Sequence, residues 1–170
     1  MPIIDAFLAE LDHEAATTRR VLERMPEGKS DWKPHERSMS LGRLCGHIAE
    51  LPGWGAVVLT SDAFDVAGPE ARGFGPFVAD DRAGLLTRHD RSVATLREAA
   101  GGVTDERLRE PWTLSQGDRV IFTSPRAAAL RGFVFSHSIH HRGQLSVYLR
   151  LLGVPVPSIY GPSADEEPVR

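Results

Sequence analysis

The sequence holds a single cysteine, Cys45, in 170 residues, which excludes an internal disulfide framework and suits a reducing interior. Long apolar runs are missing too: none approaches the roughly 20 residues that span a bilayer. The opening residues, MPIIDAFLAELDHE, bring in acids where a secretory leader has a basic start and an apolar core. The expectation is a cytoplasmic protein without a membrane partner. Neither sign of charge dominates, with 20 Lys and Arg against 23 Asp and Glu and a net charge of −3. Interspersed arginines and acids offer no broad basic face, which argues against nucleic acid as the main partner. There is no internal repeat, no low-complexity block, no Gly-rich phosphate loop and no Ser/His/Asp order of a hydrolase triad. What is present is a chain long enough to bury one sizeable core, expected as a single domain over residues 1–170 with GPSADEEPVR after Tyr160 only loosely docked.

Apolar residues recur at helical spacing in four stretches. The first runs from about Ile3 to Met25, with Ile4, Phe7, Leu8, Leu11, Ala15, Thr18, Leu22 and Met25 on one side and Pro26 as its stop. PEGKSDWKPHERSMS then breaks any period, and Trp32 is its expected anchor into the core. The second helix starts near Ser38 or Ser40 and continues through LGRLCGHIAELPGWGAVVLTS, with a stripe of Leu41, Leu44, Ile48, Leu51 and Val58. Pro52 removes the bond to the Ile48 carbonyl and is expected to bend this helix just after His47. Asp62 to Val78 is rich in Gly, Pro and aromatics and reads as a long loop able to lie over a pocket. The third helix covers about Asp80 to Ala100, with Leu85, Leu86, Val93 and Leu96 on its apolar side. Within Gly101 to Thr123, WTLSQGDRVIF alternates around SQGD as a small hairpin would. The fourth helix, Ser124 to Leu152, has Ser124 placed to N-cap it, Pro125 at its first position, Gly153 at its end and Pro155 just beyond. The fold class is therefore all-α, with a short β-hairpin between helices three and four.

The fourth helix carries the chemistry. Ala127, Leu130, Val134, Leu145 and Leu152 share one side, and His137, His141, Gln144 and Tyr148 fall inside or at the edge of that stripe. An unpaired buried polar group costs roughly 1 to 3 kcal/mol, so imidazoles facing a core need partners. His137 and His141, one turn apart, can reach a single divalent ion, or each can be a core histidine bonded to a carbonyl or carboxylate. A third imidazole comes from His47, at the flank of the second helix in line with Leu51, Trp54 and Val58, or from its rival His89 on the third. Glu50 could serve as a further ligand, an acceptor behind the ligands or a proton carrier, or be an ordinary solvated glutamate. Cys45 lies toward the apolar side of its helix, which assigns it to packing rather than nucleophilic attack. The opposite side of helix four carries Gly132, Phe135, Ile139, Gly143 and Ser146, a surface suited to self-packing and hence to a homodimer.

ERSMSLGRLCGHIAELPGW (Glu36 to Trp54) and HSIHHRGQLSVYLRLLGVPVPSIYGPSADE (His137 to Glu166) together resemble the DinB, or DinB/YfiT-like, family of metal-binding four-helix proteins. The resemblance covers nearly the whole chain and implies a four-helix bundle of up-down-down-up connectivity, often dimeric. It maps the family's three metal ligands onto His47, His137 and His141, and gives His140 and His89 no place among them. Three neutral imidazoles leave the ion its full charge and at least one open position. They suit zinc or nickel, with iron and copper also within range. The open position favours an anion, either water with its pKa drawn toward ~7 or a thiol that deprotonates on coordination. Related members of the superfamily are thiol S-transferases or thiol-dependent isomerases using bacillithiol, mycothiol or glutathione-like cosubstrates. The resemblance thus implies a metal-dependent transferase acting on a low-molecular-weight thiol and a small electrophile, with Glu50, Gln144 and Tyr148 as candidate contacts. The alternatives are a noncatalytic stress-associated protein that binds a metal or small ligand, and a metal-dependent hydrolase.

Overall fold

The computed structural model describes residues 2–73 and 75–166. Three long helices come first: α1 (Ile3–Leu22), α2 (Leu41–Thr60) and α3 (Arg82–Ala100). Between α2 and α3 lie a short strand, β1 (Ala63–Asp65), and one turn of 3-10 helix, Pro69–Gly73. A single-turn helix, α4 (Asp105–Arg109), leads into β2 (Pro111–Gln116) and β3 (Arg119–Pro125). The last helical stretch is continuous but composite: α5 (Arg126–Ala129), a π-helical segment (Leu130–Ser136) and α6 (His137–Leu151). Among the described residues, no helix is long and apolar enough to cross a membrane.

The molecule is thus mostly helical with a three-stranded sheet, not purely helical with one hairpin. The hairpin forms as expected, antiparallel, with Trp112 opposite Ser124, a bulge between Leu114 and Ser115, and Gly117 at φ +57° in its turn. The expected long loop adds a third strand: Ala63, Phe64 and Asp65 pair in parallel with Thr113, Leu114 and Ser115. Three residues are too few to show a period in sequence. What fixes the strand is long-range: Asp65 Oδ1 accepts the N–H of Gly117 at 2.8 Å, and Val66 N–H donates to the Ser115 carbonyl at 3.0 Å.

Two apolar clusters fill the interior. One joins Ile4 and Leu11 of α1 to Val58 and Leu59 of α2, Leu96 of α3, Trp112 and Leu114 of the sheet, and Leu130, Val134 and Phe135 of the π segment. The other joins Val21 and Leu22 to Leu41, Leu44 and Ile48 of α2, Leu85 of α3, and Leu145 and Leu149 of α6. Both clusters use α2, and the histidines emerge where α2 passes α6.

The end of the first helix and the start of the last differ from expectation, and the start of α2 agrees with it. The first helix stops at Leu22 and turns through Glu23 and Arg24, with Met25 still buried. Ser40 is the N-cap of α2, its hydroxyl accepting the Arg43 N–H at 3.2 Å. Ser124, expected to cap the last helix, lies instead in β3, and Pro125 precedes the helix without a side-chain cap. That end is held by Arg126, fully buried, which donates to the carbonyls of Val58 and Ser61 at 2.6 and 2.5 Å and to Asp62 at 2.5 Å. Phe135, expected on an outward face, is buried with its ring 5.8 Å from that of Phe7. The seven-residue π stretch changes the register that a uniform 3.6-residue period assumed.

The segment after Tyr160 is held in place as far as Glu166. Asp165 pairs with Arg150 at 2.6 and 3.0 Å and accepts the Val156 N–H at 2.9 Å. Tyr160 donates to Glu14 at 2.8 Å, and Arg142 bridges Glu14, Thr18 and Tyr160. The last residues of the expected loose tail, 167–170, lie outside the described residues.

Candidate metal centre

A strap formed by residues 75–79 crosses α2 beside its first two turns. It can approach because residue 46 is glycine: a Cβ there would stand 2.1 Å from the carbonyl oxygen of Phe77. The strap is tied down from both sides. Ala79 N–H donates to the Gly42 carbonyl at 3.0 Å, Phe77 N–H donates to Glu50 Oε1 at 2.9 Å, and Arg43 donates to the Phe77 carbonyl at 3.3 Å. Arg43, His47, Glu50 and Trp54 follow one another on α2 at helical spacing, and this half-buried edge forms one wall of the site.

His137 and His141 project from the first turn and a half of α6. The N–H of His137 bonds to the Val134 carbonyl at the end of the π segment. The Phe133 carbonyl lies 3.3 Å from the Nδ1 of the His137 ring. A carbonyl can only accept, so this contact places the His137 proton on Nδ1. Gln144 does the same for His141, its Oε1 lying 2.7 Å from Nδ1. In both rings Nε2 is then left with a lone pair.

Those lone pairs converge. The Nε2 atoms of His141 and His137 are 2.8 Å apart, and that of His137 is 3.3 Å from the Nε2 of His47. Ring centroids of the trio are separated by 4.6 to 5.0 Å. Among the described residues, these three form the group of His, Cys, Asp and Glu side chains able to hold an ion, their ligand atoms all within 4.8 Å of one another. Two nitrogen lone pairs facing at 2.8 Å repel unless a cation lies between them. Metal–nitrogen bonds of 2.0 to 2.1 Å in tetrahedral array require N···N separations of about 3.3 Å. The His47–His137 separation meets that value, and the His137–His141 separation needs an opening of about half an ångström. The donor set fits a divalent ion.

Electrostatics favour the ligand form. Burial pushes the His47 imidazole down to about 3, reinforced by His141, His137 and then Arg43. Burial is also the leading cause that lowers His137 and His141. All three rings are therefore neutral near pH 7, as coordination requires.

The other candidates have different positions. Glu50 is engaged by the strap and by Arg43 at 3.4 Å and Arg88 at 3.7 Å, and is not part of the trio. Gln144 orients His141, whereas Tyr148 donates to the Met39 carbonyl at 3.2 Å and packs against Trp32. His89 lies on α3, buried, with Nδ1 3.3 Å from Asp90 and Nε2 without a hydrogen-bond partner. His140 is exposed, its ring edge-on to His141. Burial drives the Cys45 thiol up to about 12, which leaves it protonated and suited to packing.

His47 faces a cleft of about 650 Å³ between α2 and α3, lined also by Arg43, Glu50, Trp54, Arg88 and Arg91. That volume is in the range of small-molecule sites. The arginines of this wall were not singled out from sequence. Their signal was the spacing of Arg88, Arg91 and Thr95, one helical face of α3, opposite Arg43 and His47 on α2.

Fold and site together define a class: mostly helical proteins with a histidine cluster of metal-binding geometry opening onto a cleft. The chain belongs to the DinB family, whose family model matches residues 3–168. A curated relative, the uncharacterized protein YrdA of Bacillus subtilis (strain 168), is 27% identical over 173 residues, covering 96% of this chain and 91% of YrdA. Two crystal structures share the fold. A DinB-like protein from Bacillus cereus ATCC 10987 superposes with a TM-score of 0.67 at 20% identity, over 92% of this chain and 97% of that one. The DinB-like protein YjoA from Bacillus subtilis gives 0.66 at 24% identity, over 89% of this chain and 96% of its own.

Proposed function

We propose that His47, His137 and His141 hold one divalent metal ion, zinc or nickel in preference to iron or copper, and that the protein is a metal-dependent thiol S-transferase acting on small electrophiles. The observation that carries this reading is the approach of the His137 and His141 Nε2 atoms to 2.8 Å, with the Phe133 carbonyl and Gln144 Oε1 placed to accept from the Nδ1 of each ring. The long helices form, in this reading, a four-helix bundle of up-down-down-up connectivity, with His47 connecting the imidazole cluster to the α2–α3 cleft. An ion held by these three imidazoles would supply Lewis acidity, drawing down the pKa of a cosubstrate thiol.

This chain's own residues do the rest. Gln144 and the Phe133 carbonyl keep two rings in the ligand tautomer. Burial keeps both rings neutral. The cleft gives a cosubstrate a path to His47, which distinguishes this site from a closed structural one, where all positions are filled by protein. Cys45, protonated and packed, supplies no competing nucleophile.

The test is turnover of an electrophilic chromogenic substrate with a panel of low-molecular-weight thiols, comparing wild type with His141→Ala. Thiol-dependent turnover lost in His141→Ala supports the reading. Equal rates in the two proteins remove the metal from the chemistry, and hydrolysis without thiol moves the assignment to a hydrolase. Saturable metal binding with no turnover in any arm moves it to a noncatalytic metal- or ligand-binding protein. The proposed homodimer uses the helix face of Gly132, Ile139, Gly143 and Ser146, where both glycines are exposed, without Phe135, which is buried, and with Val147 and Leu151 exposed beside it. A gel-filtration mass of one chain at micromolar concentration contradicts it.

A further inference from the structure

We infer that the α2–α3 cleft is a binding site for a small dianion, a molecule bearing two carboxylates or a phosphate, anchored by Arg88 and Arg91 of α3. The cleft's charge is lopsided. Three guanidinium groups, those of Arg43, Arg88 and Arg91, line it against the single carboxylate of Glu50. Glu50 is already shared between Arg43 at 3.4 Å and Arg88 at 3.7 Å, and spends its other hydrogen-bonding capacity on the Phe77 N–H at 2.9 Å. Two positive charges are left unbalanced in a concave, partly enclosed space, where fields are focused rather than dissipated.

Hydrogen bonding is unfinished as well. Arg88 makes no side-chain hydrogen bond among the described residues, its nearest carboxylate being Glu50 at 3.7 Å, and its Cζ lies over the Phe77 ring, 5.7 Å from the centroid. Arg91 has no ion-pair partner among the described residues. Arginine's planar fork matches a carboxylate or phosphate bidentately. Ser92 and Thr95, on the same face of α3, add hydroxyl donors, while Trp54 and Val57 of α2 offer an apolar surface to the body of the ligand. The pattern is that of an amphipathic small-molecule site with a cationic floor.

The site stands on the arginines and does not depend on whether the imidazole cluster holds metal. The two are separable by experiment. Isotope-labelled protein is titrated with succinate, with inorganic phosphate and with neutral succinamide, following backbone amide shifts of α2 and α3. The expected result is saturable binding of at least one dianion and none of succinamide. Arg88→Gln/Arg91→Gln together weaken it at least tenfold, Arg91→Lys weakens it less, and Arg97→Gln, outside the cleft, leaves it unchanged. Which anion saturates at lower concentration distinguishes a carboxylate from a phosphate ligand. His141→Ala, with metal content measured in parallel, retains the binding. Two results overturn the inference: no saturable shift with either anion, or binding that survives the double substitution but vanishes in His141→Ala, which places the anion on the metal.

Discussion

Gln144 is the most specific lever on the site, because it touches a proposed ligand without being one. Its Oε1 lies 2.7 Å from His141 Nδ1 and holds the ring proton on the side away from the cluster. Replacing it with leucine, which keeps side-chain bulk and removes the acceptor, frees His141 to carry its proton on Nε2, where it blocks coordination. Losing such an outer hydrogen bond typically costs 10- to 100-fold in metal affinity, about 1.4 to 2.8 kcal/mol. Gln144 is exposed, so water can replace part of what is lost, and the expected effect of Gln144→Leu lies near the tenfold end. Gln144→Glu supplies a charged acceptor and is expected to match or exceed wild type. Competition for zinc against a chromogenic chelator at neutral pH reads the affinity, and nitrogen NMR of the imidazoles reads the tautomer in the metal-free protein. Gln144→Leu binding zinc within twofold of wild type, with its ring proton still on Nδ1, refutes the reasoning.

Metal removal should lower the melting temperature. Saturation at about 100 times the dissociation constant contributes about 2.7 kcal/mol, worth roughly 5 to 10 °C for a chain of this size, and a chelator scan that leaves the transition unmoved counts against a site coupled to folding. The metal-free protein should lose stability as pH falls below the ordinary imidazole value of 6.5, because the unfolded chain takes up protons that His47, held down to about 3, refuses. Stability is complete above that value. The slope is at most ~1.4 kcal/mol per pH unit for one ring, roughly halved by partial exposure to solvent. Urea midpoints between pH 7 and 5 in wild type and His47→Gln measure it, with a flatter profile expected in the variant. Arg142→Ala strands the nearly buried Glu14 carboxylate that Arg142 meets at 2.6 Å, so a loss of about 3 to 5 kcal/mol is expected in denaturant titration, and a loss under 1 kcal/mol would contradict the buried-pair account.

The long helices and the cluster were legible for different reasons. Apolar spacing located α1, α2 and α3 within a few residues, and capping chemistry narrowed the start of α2 to Ser38 or Ser40, of which Ser40 is the cap. The i, i+4 spacing of His137 and His141 was enough to place both rings on one face. That the third imidazole is His47 and not His89 came from resemblance, since both lie on apolar sides and only tertiary packing sets them apart. What sequence hid was held by distant contacts. Strand β1 exists because β2 is there to pair with it, and Ser124 is in a strand because the hairpin extends through it. Phe135 is buried because the π segment changes the helix register. The arginine wall escaped notice because charged residues on a helix are ordinarily solvated, and only the opposing α2 turns Arg88 and Arg91 into one side of a cleft.

The central claim is that His47, His137 and His141 share one divalent ion, and elemental analysis tests it most directly. Protein purified without added metal, then stripped and reconstituted with zinc or nickel, is predicted to carry close to one ion per chain, and His137→Ala close to none. A wild-type protein that neither retains nor regains metal, or a His137→Ala variant loaded as fully as wild type, contradicts it.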